Sequence, residues 1–371
     1  MLGLYVHVPF CSAICNYCNF NRGLFDGDLK NRYVETLIAE ITRAERAGAD
    51  TIYFGGGTPS LLEPSDVRRI IDACVETFDV PRDREVTLEA NPESVSEPRL
   101  ASYRDAGVNR VSFGVQSFSD EELRRLSRLH GAARAREAFA EARAAGFDNI
   151  SLDLMMWLPA QRVEQWLESI DAAIRLGPDH LSLYLLEVYP NAPLKDEMAR
   201  SAWSQAPDDD AAAMYLEALD RLDAAGYVQY EISNVARAGR ESRHNVKYWR
   251  DEEWLGFGCG AHSTLDGVRW KNVSSTEEYI ARMTAGESIA TDRRVLSREE
   301  RVGDALFTGL RLTSGVNIDA VRQRYGVDVW ARYGADLEPF LEAGCLMRDG
   351  SRLWLTRRGM LLANEVMAVF V

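Results

Sequence analysis

The fold is decided by the start of the chain, Leu2-Gly3-Leu4-Tyr5-Val6-His7-Val8, which is followed by the cysteine-bearing stretch Pro9-Phe10-Cys11-Ser12-Ala13-Ile14-Cys15-Asn16-Tyr17-Cys18. The first seven residues form a short, mostly apolar run, which is typical of a buried strand. Apolar side chains then recur at three- and four-residue steps over residues 30–47, which predicts a helix. The chain therefore begins with a strand, a cysteine-rich loop and a helix.

This unit of strand, loop and helix repeats along the chain. Predicted strands cover residues 2–8, 51–54, 85–88, 110–115, 149–154 and 180–185. Predicted helices cover residues 30–47, a segment after residue 64, and residues 97–106, 121–126, 134–145, 164–175 and 211–225. Because parallel strands need crossover connections, and such crossovers are right-handed, we expect an α/β fold with a parallel sheet covered by helices. The repeat suits either a barrel or a doubly wound sheet.

The pattern changes from about residue 293. Helices are predicted over residues 299–310, 318–325 and 337–343, followed by a hairpin that turns at Asp349-Gly350 and a last helix from residue 358. This order is typical of a small helical, winged-helix-like module. Because the module is rich in acidic residues, we expect it to act in docking or as a lid rather than in DNA binding. The predicted domains are residues 1–290 and 291–371.

The composition excludes several classes of protein. Of the 371 residues, 46% are hydrophobic and 27% are charged, which is typical of a globular protein and not of a disordered one. The net charge of −14 disfavours non-specific binding to nucleic acid. The apolar runs are far shorter than the ~20 residues that a membrane span needs, and the chain does not start like a secretory signal. We therefore expect a cytoplasmic protein without a transmembrane segment.

Three of the six cysteines lie close together, and their spacing predicts a metal site. Cys11, Cys15 and Cys18 form the pattern C-x3-C-x2-C, whereas the other three are scattered. Structural zinc sites and ordinary ferredoxin clusters have four protein ligands, so three thiolates indicate either a missing ligand or a deliberately open position. The alternatives are a zinc site completed by His7 and three thiols that bind nothing.

Further polar residues follow the predicted strands at their carboxyl ends. The turn Gly55-Gly56-Gly57-Thr58-Pro59 follows the second strand, and Glu89, Gln116 and Asp153 end the next three. In parallel α/β folds ligands bind at the carboxyl ends of the strands, so these residues and the cysteines are expected to share one mouth. Arg128 is a candidate clamp for a carboxylate. Taken singly, each residue could instead be a turn residue or a cap.

The stretch from Tyr5 to Cys18 resembles the radical S-adenosylmethionine (radical SAM) proteins. The resemblance implies that Cys11, Cys15 and Cys18 bind a [4Fe-4S] cluster and that the amino and carboxylate groups of SAM chelate the remaining iron. An electron from the cluster would then cleave SAM to a 5′-deoxyadenosyl radical. The glycine turn would bind the methionyl part of SAM.

Residues 87–92 and 110–118 resemble one subgroup, the oxygen-independent coproporphyrinogen III oxidase-like proteins. This resemblance covers nearly the whole chain and implies a partial, TIM-like (β/α)6 radical SAM barrel with a small C-terminal module. It also implies the SAM contacts, some of them to a second SAM molecule: Tyr5, Tyr17, Gly56, Gly57, Thr58, Glu89, Gln116, Arg128 and Asp153.

One departure concerns the turn after the fifth strand. The family usually has Gly-Leu-Pro-Gly-Gln there, whereas this chain has Trp157-Leu158-Pro159-Ala160-Gln161. We expect the bulky indole either to narrow the adenosine side of the cavity, and with it the second SAM site, or to pack beneath the cavity.

Two features favour one branch of the subgroup, the HemW-type heme chaperones. The oxidases carry a fourth cysteine two positions after the third, where this chain has Phe20. The stretch His244-Asn245-Val246-Lys247-Tyr248-Trp249 matches the H-N-x-x-Y-W motif of the chaperones. An imidazole can ligate heme iron, and aromatic side chains offer flat surfaces for a macrocycle. Alternatively, His244 caps a loop while Tyr248 and Trp249 belong to a core.

A glycine-rich loop over residues 256–263 carries two more potential ligands, Cys259 and His262. We interpret this loop first as a closely packed turn, and second as a further contact for heme or substrate. Cys74 and Cys345 are expected to be small buried hydrophobic residues.

The resemblance as a whole implies a heme chaperone that binds heme, the cluster and SAM. The implied partners are a heme acceptor such as a membrane respiratory hemoprotein, a reductant for the cluster, and a second copy of the chain. Two enzymatic alternatives remain open: oxidative decarboxylation by an oxygen-independent coproporphyrinogen III dehydrogenase, and methyl transfer by a class C radical SAM methyltransferase that uses two SAM molecules.

Overall fold

The computed structural model describes every residue from Met1 to Val371. The strands, numbered in chain order, are β1 Leu2–Val8, β2 Phe10–Cys11, β3 Gly23–Leu24, β4 Ala49–Gly56, β5 Glu85–Ala90, β6 Arg110–Gln116, β7 Ile150–Met156, β8 His180–Leu185, β9 Val228–Glu231, β10 Asn234–Ala236, β11 Trp254–Phe257, β12 His262–Leu265, β13 Val268–Asn272, β14 Ala290–Val295, β15 Val316–Asn317, β16 Leu346–Asp349 and β17 Arg352–Leu355.

The helices, also numbered in chain order, are α1 Gly27–Thr42, α2 Pro64–Thr77, α3 Glu97–Asp105, α4 Asp120–Arg125, α5 Ala132–Ala144, α6 Val163–Leu176, α7 Pro193–Ser201, α8 Asp208–Ala224, α9 Arg243–Trp249, α10 Thr276–Ala285, α11 Arg298–Gly309, α12 Ile318–Tyr325, α13 Val329–Glu342, α14 Arg357–Met360 and α15 Ala363–Met367. None of them is both long enough and apolar enough to cross a membrane.

The centre of the fold is an open sheet of twelve strands in the order β14-β13-β12-β11-β1-β4-β5-β6-β7-β8-β10-β9. The six predicted strands are β1 and β4 to β8, and each pairs in parallel with the next, as expected. Strand β11 extends the parallel part beyond β1. The remaining strands are antiparallel and lie at the two edges. The predicted α/β class is confirmed, whereas the prediction of six strands was incomplete.

The edge strands were missed because they are short and carry few consecutive apolar residues. Strands β12 and β13 form a hairpin in which Leu265 pairs with Val268. The two loop residues, Asp266 and Gly267, both have positive φ, of 51° and 71°. An Asp-Gly pair between two strands is a strong hairpin signal, so this part of the sheet could have been predicted.

Alternation along the parallel strands separates a polar side of the sheet from an apolar one. In β6, for example, Val111, Phe113 and Val115 are buried in the main hydrophobic core beneath the helices. At the alternate positions, Arg110 and Ser112 point to the opposite face, where Ser112 bonds the Asp153 side chain of β7. Because successive side chains of a strand point to opposite faces, the polar residues of neighbouring strands meet inside the curved sheet.

The C-terminal part of the chain forms a three-stranded sheet, β15-β17-β16, with helices α11 to α15 around it. Its apolar residues, such as Leu306 and Leu353, belong to the same continuous core of 76 residues as those of the large sheet. Strand β14, Ala290–Val295, crosses the predicted boundary at residue 290 and belongs to the large sheet. The division into two domains remains a prediction.

A buried ion pair links the large sheet to the C-terminal part. Glu231 ends β9, its side chain is fully buried, and it accepts hydrogen bonds from the backbone N–H of Ser233 at 2.8 Å and from Nη2 of Arg311 at 2.9 Å. Removal of one partner of a buried pair leaves an uncompensated charge.

We therefore expect Arg311→Met to lower the free energy of unfolding by about 3 kcal/mol. Urea unfolding followed by circular dichroism measures this loss. Arg322→Met is the control, because Arg322 and Asp328 form an exposed pair, which contributes little. Equal stability of the two variants would contradict a structural role for the buried pair.

Candidate functional site

A cavity of about 400 Å³ lies at the carboxyl ends of the parallel strands. It is bounded by the cysteine loop after β1 and by the ends of β4 to β8. Eleven of the predicted site residues line it: Cys11, Cys15, Tyr17, Cys18, Gly56, Gly57, Thr58, Glu89, Gln116, Arg128 and Asp153. Strand ends that are far apart in the sequence therefore meet at one mouth, as the topology of a parallel sheet requires.

The cysteine loop is shaped by its own backbone and by donors around it. Strands β2 and β3 pair and close the loop, and the backbone N–H of Cys18 bonds the carbonyl of Cys15 at 3.2 Å. Thr58 Oγ1 lies 3.7 Å from Cys11 Sγ, and Arg128 Nη1 lies 3.5 Å from Cys15 Sγ. Burial raises the pKa of the Cys11 and Cys18 thiols. A bound cation would favour the thiolates that this loop presents.

The structure disfavours a single zinc ion completed by His7. Both ring nitrogens of His7 have partners, since Nε2 lies 2.8 Å from the carbonyl oxygen of Asn21 and Nδ1 lies 3.1 Å from the Tyr5 hydroxyl. His7 is thus already engaged, and the role of the three thiols as ligands of an iron-sulfur cluster stays a prediction.

The glycine turn is packed directly against the cysteine loop. Gly56 has φ of +116°, and a Cβ there would lie 2.6 Å from the His7 ring. A Cβ on Gly57 would lie 2.7 Å from the carbonyl oxygen of Phe10. The backbone N–H groups of Gly57 and Thr58 bond the carbonyls of Val8 and Phe10 at 2.8 Å and 2.7 Å. Residues 56 and 57 must therefore be glycine because the two loops approach each other closely. Both glycines also line the cavity.

Two buried carboxylates face the cavity from β5 and β7: Glu89 lies at the carboxyl end of β5, whereas Asp153 lies in the middle of β7, which runs on to Met156 rather than ending at Asp153 as predicted. Glu89 accepts hydrogen bonds from the Tyr53 hydroxyl at 2.7 Å and from the backbone N–H of Gly56 at 3.2 Å. Asp153 accepts a bond from Ser112 Oγ at 3.2 Å. Burial raises the pKa of Glu89 to about 7, and burial also raises the pKa of Asp153. Burial therefore disfavours the ionised form of both carboxyls.

Gln116 and Arg128 present unused hydrogen-bonding atoms. Gln116 has φ of 69°, a left-handed conformation that costs energy for a residue with a Cβ, and its buried Oε1 has no partner. Arg128 Nη2 donates to Asn91 Oδ1 and to the carbonyl of Gly114, both at 2.7 Å, while its buried Nε has no partner. Unsatisfied buried polar atoms beside a cavity are expected where a ligand completes the site.

Sequence reasoning missed Asn91 as a member of this site. Its side chain accepts from Arg128 and donates to Thr58 Oγ1 at 3.1 Å, so it fixes both residues. The signal was present, because Asn91 lies two positions after Glu89, where β5 ends.

The side chains of Trp157 and Ala160, which stand where the family usually has glycine, do not fill the cavity. Trp157 and Ala160 have φ of 61° and 56°, which explains why glycine is usual at both positions. Trp157 Nε1 donates to the carbonyl of Ala206 at 2.7 Å, and the indole is not part of the cavity wall. Of the two expectations for this side chain, packing outside the cavity agrees with the structure.

Tyr5 lies below the cavity rather than in its wall. Its ring packs against those of Tyr53 and His244, with centroids 6.2 Å and 6.5 Å away. Its hydroxyl bonds His7, so this residue supports the site from inside the barrel. A direct SAM contact by Tyr5 stays a prediction.

The His244 motif lies at the opposite, amino end of the strands. His244 is buried, with Nδ1 2.8 Å from Thr51 Oγ1 and Nε2 2.8 Å from the Tyr248 hydroxyl. Burial lowers its pKa to about 3, so the imidazole is neutral. The carboxylate of Glu85 accepts the backbone N–H groups of Arg243 and His244, both at 3.0 Å, and so holds the start of α9.

The aromatic residues of the motif are also packed. The Tyr248 ring meets Trp254 edge to face at 4.8 Å, and the Arg311 guanidinium lies 4.3 Å from the Trp249 ring centroid. This arrangement corresponds to the interpretation of the motif as part of a core. A role of His244, Tyr248 and Trp249 in binding heme stays a prediction, and it requires Nε2 of His244 to exchange its partner.

The glycine-rich loop with Cys259 is a closely packed turn, as first expected. Gly258 and Gly260 have φ of +95° and +72°, and a Cβ on Gly260 would lie 2.3 Å from Asn21 Nδ2. Asn21 donates to the carbonyl of Cys259 at 3.2 Å, which ties the cysteine loop to this turn.

Comparison with known proteins agrees with this geometry. The Radical SAM superfamily model matches residues 5–190, and the HemN C-terminal domain model matches residues 296–362. The chain is 35% identical to the heme chaperone HemW of Bacillus subtilis, over 100% of this chain and 99% of that protein. It is 36% identical to mouse radical S-adenosyl methionine domain-containing protein 1, mitochondrial, over 98% of this chain and 86% of that protein. The chain belongs to the HemW family of radical SAM proteins.

A solved structure shows the same fold outside the immediate HemW family. Coproporphyrinogen III oxidase (HemN) from Escherichia coli, a radical SAM enzyme, superposes with a TM-score of 0.86 at 22% identity, covering 100% of this chain and 89% of that one. The predicted fold, a radical SAM barrel with a small C-terminal module, is thereby confirmed.

The close contact at Gly57 generates a prediction for the cysteine loop. In Gly57→Ala the new methyl group would displace the Phe10 carbonyl and with it Cys11, because overpacking against backbone forces the backbone to move. After anaerobic reconstitution with iron and sulfide, we expect this variant to hold less than about half of the wild-type iron.

Gly23→Ala is the matched control, since Gly23 lies in the same loop and a Cβ there meets nothing within 4 Å. Iron and sulfide analysis together with the absorbance near 400 nm measures both variants. Wild-type iron content in Gly57→Ala would show that the loop tolerates the added methyl group.

Proposed function

We propose that this member of the HemW family is a heme chaperone, which binds heme and passes it to an acceptor hemoprotein. The observation that carries the proposal is the full-length similarity to proteins named heme chaperones, in a chain that has Phe20 in place of the fourth cysteine of the oxidases and keeps the H-N-x-x-Y-W motif. No specific observation favours decarboxylation or methyl transfer.

In the proposed active state Cys11, Cys15 and Cys18 hold a [4Fe-4S] cluster, and SAM occupies the adjoining cavity. A cluster of this kind supplies single electrons to a bound substrate or cofactor. The unpartnered Oε1 of Gln116 and Nε of Arg128 support a polar ligand there. Arg128 would face an anionic group of SAM, while Glu89 and Asp153 would face its cationic and hydroxyl groups.

The mouth of the cavity suits an apolar molecule. Ile14, Phe20 and Leu185 are exposed at its rim, and the side chain of Phe20 is 65% exposed. Exposed apolar groups beside a cavity are common at binding sites. They offer a second place at which a macrocycle could dock if the motif around His244 does not hold the iron.

His244 is proposed as the ligand of the heme iron. Its buried imidazole is neutral, which is the form that binds iron. Ligation would require Nε2 to give up its hydrogen bond with the Tyr248 hydroxyl and Tyr248 to uncover the imidazole. The acceptor hemoprotein, the reductant, a second copy of the chain and the cytoplasmic location remain predictions.

The function is tested by titrating hemin into the reconstituted protein, followed by the Soret band and by retention through a desalting column. We expect His244→Ala to bind hemin at least about tenfold more weakly than the wild type, because the iron loses its axial ligand. Iron and sulfide content should stay at the wild-type level, since the motif lies at the other end of the strands.

His180→Ala is a matched control. His180 is equally buried and also lies between a hydroxyl and a tyrosine, with Ser151 Oγ and the Tyr230 hydroxyl both at 2.8 Å, but it is outside the motif. Equal hemin retention in both variants would show that His244 is not the ligand. It would favour docking of heme at the cavity rim that carries Phe20 and Leu185. Absence of hemin binding in the wild type would contradict the chaperone function itself.

The pH dependence of hemin affinity gives a separate prediction. Because burial lowers the pKa of His244 to about 3, no proton leaves the imidazole when iron binds between pH 6 and 8. The affinity should therefore change less than about twofold over this range, whereas an exposed histidine with a pKa near 6.5 would lose about fourfold at pH 6. The fourfold loss in the wild type would indicate an exposed histidine as ligand.

A further inference from the structure

The cysteine loop carries one charged side chain to which the proposed function gives no role. Between residues 8 and 25, Arg22 is the only lysine, arginine, aspartate or glutamate. It lines the cavity together with Cys11, Cys15 and Cys18. The loop that would hold three thiolates and a cluster therefore has a single fixed charge of its own, and that charge is positive.

The structure places Arg22 where the two ends of the loop meet. The residue directly precedes β3, in which Gly23 pairs with Phe10 of β2. Its side chain reaches the last cysteine of the loop, since Nη2 donates to the carbonyl oxygen of Cys18 and Nη1 donates to that of Phe20 at 2.8 Å. The guanidinium is thus fixed in direct contact with the backbone of one of the three cysteines.

No carboxylate of the protein neutralises Arg22. Both of its terminal nitrogens donate to carbonyl oxygens, and no Asp or Glu oxygen lies within 4.0 Å of them. Its Nε is buried and has no hydrogen-bond partner. The carboxylates that line the same cavity bond other side chains: Glu89 bonds Tyr53, Asp153 bonds Ser112 and Glu187 bonds Tyr189. A partly buried guanidinium, which stays charged, therefore lacks a counter-charge.

An iron-sulfur cluster on the three thiolates would supply this counter-charge. Such a cluster is an anion, and one-electron reduction adds one more negative charge to it. Net charge near the cluster and hydrogen bonds to its sulfur atoms set its reduction potential. Arg22 offers a fixed positive charge and, at Nε, an unused donor.

The second guanidinium near the thiols is engaged differently. Arg128 Nη1 lies 3.5 Å from Cys15 Sγ, but Nη2 of the same side chain bonds Asn91 and the carbonyl of Gly114. Arg128 would also face an anionic group of SAM, which would neutralise its charge. Arg22 is then the cation that remains for the cluster.

We propose that Arg22 raises the reduction potential of the [4Fe-4S] cluster, because its positive charge stabilises the cluster after it has accepted an electron. The step is the transfer of one electron from a reductant to the oxidised cluster, and no bond or proton is exchanged. This role rests on the proposed function, which assigns the cluster to the three cysteines.

The test is an anaerobic potentiometric titration of the reconstituted protein without SAM. Sodium dithionite supplies the electrons in the presence of redox mediators, and the EPR signal of the reduced cluster gives the midpoint potential. A unit charge several ångströms away, at an effective dielectric constant of about 20, changes a one-electron equilibrium by about tenfold. Arg22→Met and Arg22→Gln should therefore lower the midpoint by about 59 mV, which corresponds to a tenfold change for one electron.

Two of the variants separate the charge from the hydrogen bonds. Arg22→Gln keeps N–H groups that can bond the loop carbonyls but is neutral, whereas Arg22→Lys keeps the charge with fewer donors in a different geometry. The midpoint of Arg22→Lys should therefore stay within about twofold of the wild type, which is about 18 mV. Iron and sulfide content must be matched in all samples.

Lys195→Met is the control for loss of a positive charge near the loop. Lys195 is exposed on α7 and follows Leu194, whose backbone N–H bonds the carbonyl of Asn16 in the cysteine loop at 3.0 Å. Because solvent and salt screen an exposed charge, this variant should keep the wild-type midpoint.

The outcomes distinguish the proposal from its alternatives. Wild-type midpoints in Arg22→Met and Arg22→Gln would overturn it. So would a midpoint in Arg22→Lys as low as that of Arg22→Met, because loop geometry rather than charge would then set the potential. Loss of the cluster from both neutral variants would assign Arg22 to the structure of the loop and likewise overturn the proposal. If the wild type holds no iron-sulfur cluster, it is the proposed function that fails.

Discussion

The site depends on one close contact, that between the glycine turn after β4 and the cysteine loop after β1. Gly57 and Thr58 donate backbone hydrogen bonds to the carbonyls of Val8, which ends β1, and Phe10, which starts β2, and a side chain on Gly57 would collide with the Phe10 carbonyl. This contact holds Cys11 against Thr58 and closes the loop over the ends of the strands. The same turn gives its Gly56 N–H to Glu89, so the thiols and the carboxylate are fixed by one piece of backbone.

From Glu89, a series of hydrogen bonds and ring contacts runs through the barrel interior towards the amino ends of the strands. Glu89 is bonded by Tyr53, whose ring stacks on His244 with centroids 5.1 Å apart. His244 in turn fits beside Gly3 of β1, where a Cβ would lie 3.0 Å from its ring, and bonds Thr51 of β4. Strands β1 and β4 therefore carry the cysteine loop and the glycine turn at their carboxyl ends, and α9 with the H-N-x-x-Y-W motif packs near their amino ends.

The sequence predicted the parts of this fold that local pattern controls. Strands β1 and β8 and helix α12 have the predicted bounds, because each is a compact apolar or periodic run between clear turn residues. Glu89 and Asp153 could be placed at one mouth, because the carboxyl ends of parallel strands must meet. The edge strands were missed because pairing with an existing sheet, rather than apolar pattern, stabilises them.

The sequence could not predict how deeply a side chain is buried inside the curved sheet. The pattern around His244 is that of a short helix, and nothing local shows that Glu85 and Thr51, 159 and 193 positions away, bond its backbone N–H and its ring. These contacts arise from the curvature of the sheet, which brings together residues that no short window contains.

The strands themselves connect the two ends of the barrel. The strands that hold His244 are about 20 Å long, too far for a side chain at one end to touch a ligand at the other. His244 of α9 nevertheless contacts Gly3 and Thr51, which belong to the two strands that lead to the cysteine loop and to the glycine turn. A partner that displaces Tyr248 from His244 would disturb β1 and β4 through His244, and β11, which also pairs with β1, through Trp254.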